Sequence, residues 1–93
     1  MPITTRKPNM CNSFSGNPGD PVEWQGVPAT GCTISQAGTN TFPFSPATQG
    51  PNGPYITLPT TAKITITSTL TAAVYSFEAS CCADHALKTV TVG

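Results

Sequence analysis

The groups best suited to chemistry stand close together near the C-terminal end, in the run Ser80-Cys81-Cys82-Ala83-Asp84-His85. Two vicinal thiols and the chain's sole imidazole share that loop, and the remaining two thiols are Cys11 and Cys32. Soft thiolates with one imidazole suit Cu(I) or Zn(II). In an oxidising compartment the same thiols close disulfides instead. A third chemistry, a Cys-His nucleophilic pair, needs a thiolate within hydrogen-bond reach of the imidazole and donors for an oxyanion. Nothing else in the sequence supplies those donors, so the chain is expected not to be an enzyme.

Four cysteines in 93 residues favour the disulfide reading. A chain this short builds only a modest core, and each bridge adds about 2–4 kcal/mol. Four cysteines allow three connectivities. Neighbours on a strand point to opposite faces, so Cys81 and Cys82 are expected to reach different partners, Cys11 and Cys32. Strand phase puts Cys81 on the inner face with Phe77. A ring closed between Cys81 and Cys82 themselves is strained and less favoured.

The elements that must hold these residues are short strands. Ten Pro and eight Gly leave no room for long helices. β-Branched and threonine-rich runs alternate with turn clusters, the pattern of an all-β chain. Extended segments are expected at Ile3–Arg6, at Val22-Glu23-Trp24 after the turn-forming Gly16–Pro21, and at Cys32–Ser35. From Gln36 to Pro54 the chain reads as a long connection carrying Phe42 and Phe44. Further strands are expected at Tyr55–Leu58, at Lys63–Leu70, through Tyr75, Phe77, Ala79 and Cys81 on one face, and at Val90 and Val92. Trp24 and Phe77 are expected in the core. Residues 1–93 are read as one domain, an all-β sandwich of two sheets and about seven strands.

Charge excludes one large class of function. Asp, Glu, Lys and Arg make up 9% of the chain and net charge is zero, against about 25% charged residues in a typical domain. Arg6, Lys7, Lys63 and Lys88 form no stripe, so nucleic-acid binding is not expected. No apolar run is long enough for a membrane span, and the first residues lack the apolar core of a signal peptide. A polar but weakly charged surface favours association with neutral surfaces or with copies of itself. Phe42, Phe44 and Tyr55 are the candidate contact residues, and together they would also suit a sugar-binding platform.

Several of these motifs, taken in order, resemble the cupredoxins, small blue-copper β-sandwiches. Gly19-Asp20-Pro21-Val22-Glu23-Trp24 is similar to the family's Gly-Asp-x-Val-x-aromatic strand. Gly31-Cys32-Thr33-Ile34-Ser35 stands where the family places its first histidine ligand. Tyr75-Ser76-Phe77, then Cys81 or Cys82, His85 and Thr89-Val90-Thr91-Val92, resembles the family's closing hairpin. The resemblance implies a cupredoxin-like sandwich, with an immunoglobulin-like Greek key as the other candidate. It also implies that Cys32 and the closing loop meet at one end of the fold.

The family's copper set is incomplete here. Cys32 replaces the first histidine, and Ala86-Leu87-Lys88 follows His85 where the family usually has Met. A blue-copper centre needs two imidazoles and a thiolate, and this chain has one histidine. The expected function is therefore a non-catalytic structural, assembly or adhesive module, disulfide-stabilised and without cofactor. It is expected outside the cytoplasm, in an extracellular, periplasmic or particle-surface setting, with a protein partner or copies of itself. The alternatives are a copper- or zinc-binding protein using Cys32, Cys82 and His85, and a carbohydrate- or surface-binding module.

Overall fold

A computed structural model describes residues 3–38, 40–82 and 87–93. All regular structure among them is β. Proline and glycine cut the chain into pieces too short for helices, and the β-branched residues between them suit a pleated surface. The strands are β1 (Phe14–Gly16), β2 (Cys32–Gln36), β3 (Phe44–Ser45) and β4 (Thr48–Gly50). They continue as β5 (Gly53–Leu58), β6 (Thr65–Ile66), β7 (Ala73–Ala79) and β8 (Lys88–Val92).

Six of them form one sheet in the order β1-β8-β7-β2-β5-β4, and β3 pairs with β6 in a second. The β1–β8 pairing is parallel, and the rest are antiparallel. Backbone hydrogen bonds extend the second layer beyond β6. Val22 N–H donates to Ile64 O at 2.8 Å and Ile66 N–H to Asp20 O at 2.9 Å. On the far side, residues 6–10 run parallel to residues 21–25, with bridges Arg6–Val22 and Asn9–Gln25. Pro8 and Pro21 have no N–H to give, which keeps this ladder interrupted.

The core lies between these layers. Ile34, Ile56, Leu58, Phe77, Val90 and Val92 come from the six-stranded sheet, and Val22, Trp24, Phe44, Ile64 and Ile66 meet them from the other side. Phe44 sits at the centre of an aromatic cluster. Its ring lies 4.9 Å from Trp24 and 5.1 Å from Phe77, both edge-on, and 6.0 Å from Phe14. Trp24 and Phe77 are thus core residues, as their strand phase implied.

Three expectations are corrected. The connection from Gln36 to Pro54 is not one long loop, because it contains β3, β4 and the start of β5. Strand structure in Lys63–Leu70 is limited to β6, with Ile64 and Ile66 still inward. Phe44, a candidate contact residue, is 2% exposed. Pro43 beside it is also buried, so Phe44 fills the core and does not face a partner.

One buried charge anchors the N-terminal segment. Asp20 accepts hydrogen bonds from Arg6 Nε and the Asn17 N–H, both at 2.9 Å, and from the Thr4 N–H at 3.5 Å. Burial pushes its carboxyl pKa up. The bonds from Asn17, Arg6 and Thr4, with the Arg6 charge, outweigh that and hold it below the usual aspartate range. Asp20 therefore stays ionised and ties residues 4–6 to the turn before Val22.

Candidate functional site

β2 begins where β7 ends, because the two strands are antiparallel and pair Ile34 with Ala79. Carrying that register two residues further sets Cys32 opposite Cys81. A disulfide joins them, with a Cα–Cα distance of 5.1 Å, well inside the span a disulfide can bridge. Gly31, with φ 90°, leads into β2, and a Cβ there would stand 2.9 Å from the Leu58 carbonyl oxygen. Glycine is thus required where the chain turns in toward Cys32.

The strand ends before the vicinal pair. Ser80 N–H donates to Thr33 O at 2.9 Å, and Ser80 Oγ accepts from Thr33 N–H at 2.9 Å. Cys82 N–H then turns back to Ala79 O at 3.3 Å. This turn corrects the expected phase: Cys82 is the buried member at 2% exposure, and Cys81 is only half-buried. Cys81 N–H also points at Cys32 Sγ, 3.3 Å away.

Cys82 is bridged to Cys11, with a Cα–Cα distance of 5.5 Å. Cys11 follows Met10, whose N–H donates to Gln25 O at 2.8 Å, and Asn12 N–H closes the turn on Asn9 O. Cys11 has φ 69°, in the left-handed region uncommon for a residue with a side chain. The vicinal pair therefore fastens two distant parts of the chain, β2 and the N-terminal segment, to one end of the core.

No described cysteine is free. The metal set Cys32, Cys82 and His85 is not assembled as thiolates, because Cys32 and Cys82 belong to different bridges, and His85 lies outside the described residues. The sulfurs that do gather are those of Cys11, Cys81 and Cys82, all within 4.8 Å of one another. Sequence reasoning did not group these three, since nothing local in the sequence places Cys11 beside residue 81.

The other candidates lie elsewhere. Phe42 is half-buried and packs edge-on against Phe44 at 5.7 Å. Tyr55 is half-buried and lines a cleft of about 350 Å³ with Thr33, Ser35, Asn52 and Pro54. This cleft opens on the outer face of the six-stranded sheet. Outward positions there are Thr33, Ser35, Thr57, Ser76, Glu78, Thr89 and Thr91, opposite in phase to the buried Ile34, Phe77 and Val90. Glu78 is the only charged one of these. Val74, 61% exposed, lies on the same face. No helix among the described residues is long and apolar enough to cross a membrane.

Known proteins offer no relative by which to read the site: no family model, curated protein or solved structure matches the chain.

Proposed function

We propose that this chain is a non-catalytic structural and assembly module, a cupredoxin-like β-sandwich whose metal-binding end has become a disulfide clasp. The observation that carries the reading is the Cys32–Cys81 bridge joining the head of β2 to the turn after β7. In the cupredoxin resemblance, Cys32 occupies a ligand position and the closing loop supplies the others. A covalent bond between these places leaves no thiolate to hold a metal there, and it gives mechanical closure instead. The second bridge, Cys11–Cys82, supports the same reading by locking the N-terminal segment. Two disulfides suit an oxidising compartment.

The surface offered to a partner is the outer face of the six-stranded sheet. Its Thr and Ser hydroxyls and the exposed Val74 present little charge to desolvate, which suits contact with a second copy of this chain or another neutral protein. The β4 edge suits pairing less well. It is three residues long and flanked by Pro46 and Pro51, both features that blunt an edge. Sedimentation of the oxidised protein over a wide concentration range tests self-association. Concentration-dependent oligomers that Thr57→Lys with Thr91→Glu disperses are expected. A strict monomer at the highest concentration refutes self-assembly.

The Tyr55 cleft favours a second reading, binding of a neutral glycan. An aromatic ring beside Thr33, Ser35 and Asn52 combines a stacking surface with uncharged hydrogen-bonding groups. Glycan-array binding abolished by Tyr55→Ala is the test, and an array with no signal removes this reading.

A further inference from the structure

We propose that the fully reduced chain holds one Cu(I) ion on the Sγ atoms of Cys11, Cys81 and Cys82. These three sulfurs lie within 4.8 Å of one another although they belong to two different disulfides. A three-coordinate cation with metal–sulfur bonds of about 2.3 Å holds its ligands about 4 Å apart. Opening the Cys11–Cys82 bond lets those two sulfurs separate to that spacing by side-chain rotation. Cys81 then needs to move by less than about 1 Å to complete the set. Cys32 is not among the three. The site is thus a different one from the Cys32, Cys82 and His85 set that the sequence suggests.

The surroundings favour a soft monovalent ion. Thiolates select Cu(I), which is content with three ligands, whereas zinc takes four. Cys32 Sγ, bonded to Cys81 Sγ in the oxidised chain, lies outside the group within 4.8 Å, and no other metal-binding side chain among the described residues joins it. Cys82 is 2% exposed and packs with the core, while Cys11 and Cys81 are half-buried. The site therefore has a dry floor and an entry from solvent.

The chemistry balances with a dithiol as reductant. Two dithiols reduce the two bridges, delivering four electrons and four protons to the cysteines while each closes to its own disulfide. Binding then forms three Cu–S bonds and releases three protons. Copper stays in the +1 state, and Cys32 stays a thiol. The ion ties Cys11 to the vicinal pair as the Cys11–Cys82 bridge did, so metal binding and folding are coupled. The same sulfurs serve as a disulfide clasp when oxidised and as a copper site when reduced.

The test reduces the full chain anaerobically with a phosphine and titrates it with Cu(I) against a chromophoric Cu(I) chelator, following circular dichroism in parallel. One copper per chain is expected, with the β-sheet signal restored at one equivalent. Cys32→Ser is expected to bind within about twofold of the parent, and Cys11→Ser, Cys81→Ser and Cys82→Ser each about tenfold or more weakly. The proposal is overturned if copper fails to restore the sheet signal or binds no tighter than to the urea-denatured chain. Weakening by Cys32→Ser equal to that by Cys11→Ser overturns it as well.

Discussion

Removing either disulfide should destabilise the chain by nearly the same amount, although the bridges span 71 and 49 residues. Treated as independent loops, Cys11–Cys82 and Cys32–Cys81 would contribute about 4.4 and 4.1 kcal/mol through the entropy of the unfolded chain. They are not independent, because both end on the vicinal pair. With either bridge in place, the other closes only the ring from Cys11 to Cys32 and back across Cys81–Cys82. That ring has about 24 residues and is worth about 3.4 kcal/mol. Each paired deletion, Cys11→Ala with Cys82→Ala or Cys32→Ala with Cys81→Ala, should therefore cost about 3.4 kcal/mol. Deleting both should cost about 7–8 kcal/mol. A chain of this length has a total stability of roughly 5–14 kcal/mol, so the cysteine-free variant is expected to be largely unfolded. Urea titration followed by the fluorescence of Trp24, the only tryptophan and 9% exposed, measures all three. A difference of more than about 1 kcal/mol between the two paired deletions, or a cost below about 1 kcal/mol for either, refutes this coupling of the bridges.

Asp20 makes stability depend on acid pH. Its folded-state pKa is depressed, so its contribution is fully present above the unfolded aspartate value near about 4 and is lost as pH falls through the lower folded value. Urea midpoints measured from pH 6 down to pH 2 should fall in that window for the parent. Asp20→Asn should be less stable by about 2 kcal/mol at pH 6 and show a flatter profile. In the core, Phe44→Ala should cost about 3–5 kcal/mol, whereas Phe42→Ala at the half-buried end of the cluster should cost clearly less by the same titration. Gly31→Ala should cost about 1–3 kcal/mol, measured by thermal unfolding, because it combines a left-handed φ with a contact against backbone that cannot rotate away.

The strands that were legible are those whose alternation is local. In Cys32–Ser35 and Tyr75–Ala79 the apolar residues recur every second position, and burial follows that period. β3 and β4 were not legible. Each is two or three residues long, in a stretch crowded with Pro and Gly, where no period can establish itself. Phe44 was misplaced for the same reason: within Thr41-Phe42-Pro43-Phe44 both aromatics look alike, and only the position of β6 beside β3 decides which is covered. The Cys81–Cys82 phase failed because β7 ends at Ala79, and the turn held by Ser80 and Thr33 resets the direction of the side chains.

By itself, then, the sequence determined the all-β class, the aromatic centre around Trp24 and Phe77, and the supply of thiols at both ends of the chain. These follow from composition and from patterns a few residues long, which act before distant segments meet. Only the tertiary structure decided which thiols join. Register between β2 and β7 sets Cys32 opposite Cys81, and the parallel run of residues 6–10 along residues 21–25 carries Cys11 to Cys82. Those partners are 49 and 71 residues apart. Their proximity is a property of the assembled sheets, which no local pattern encodes.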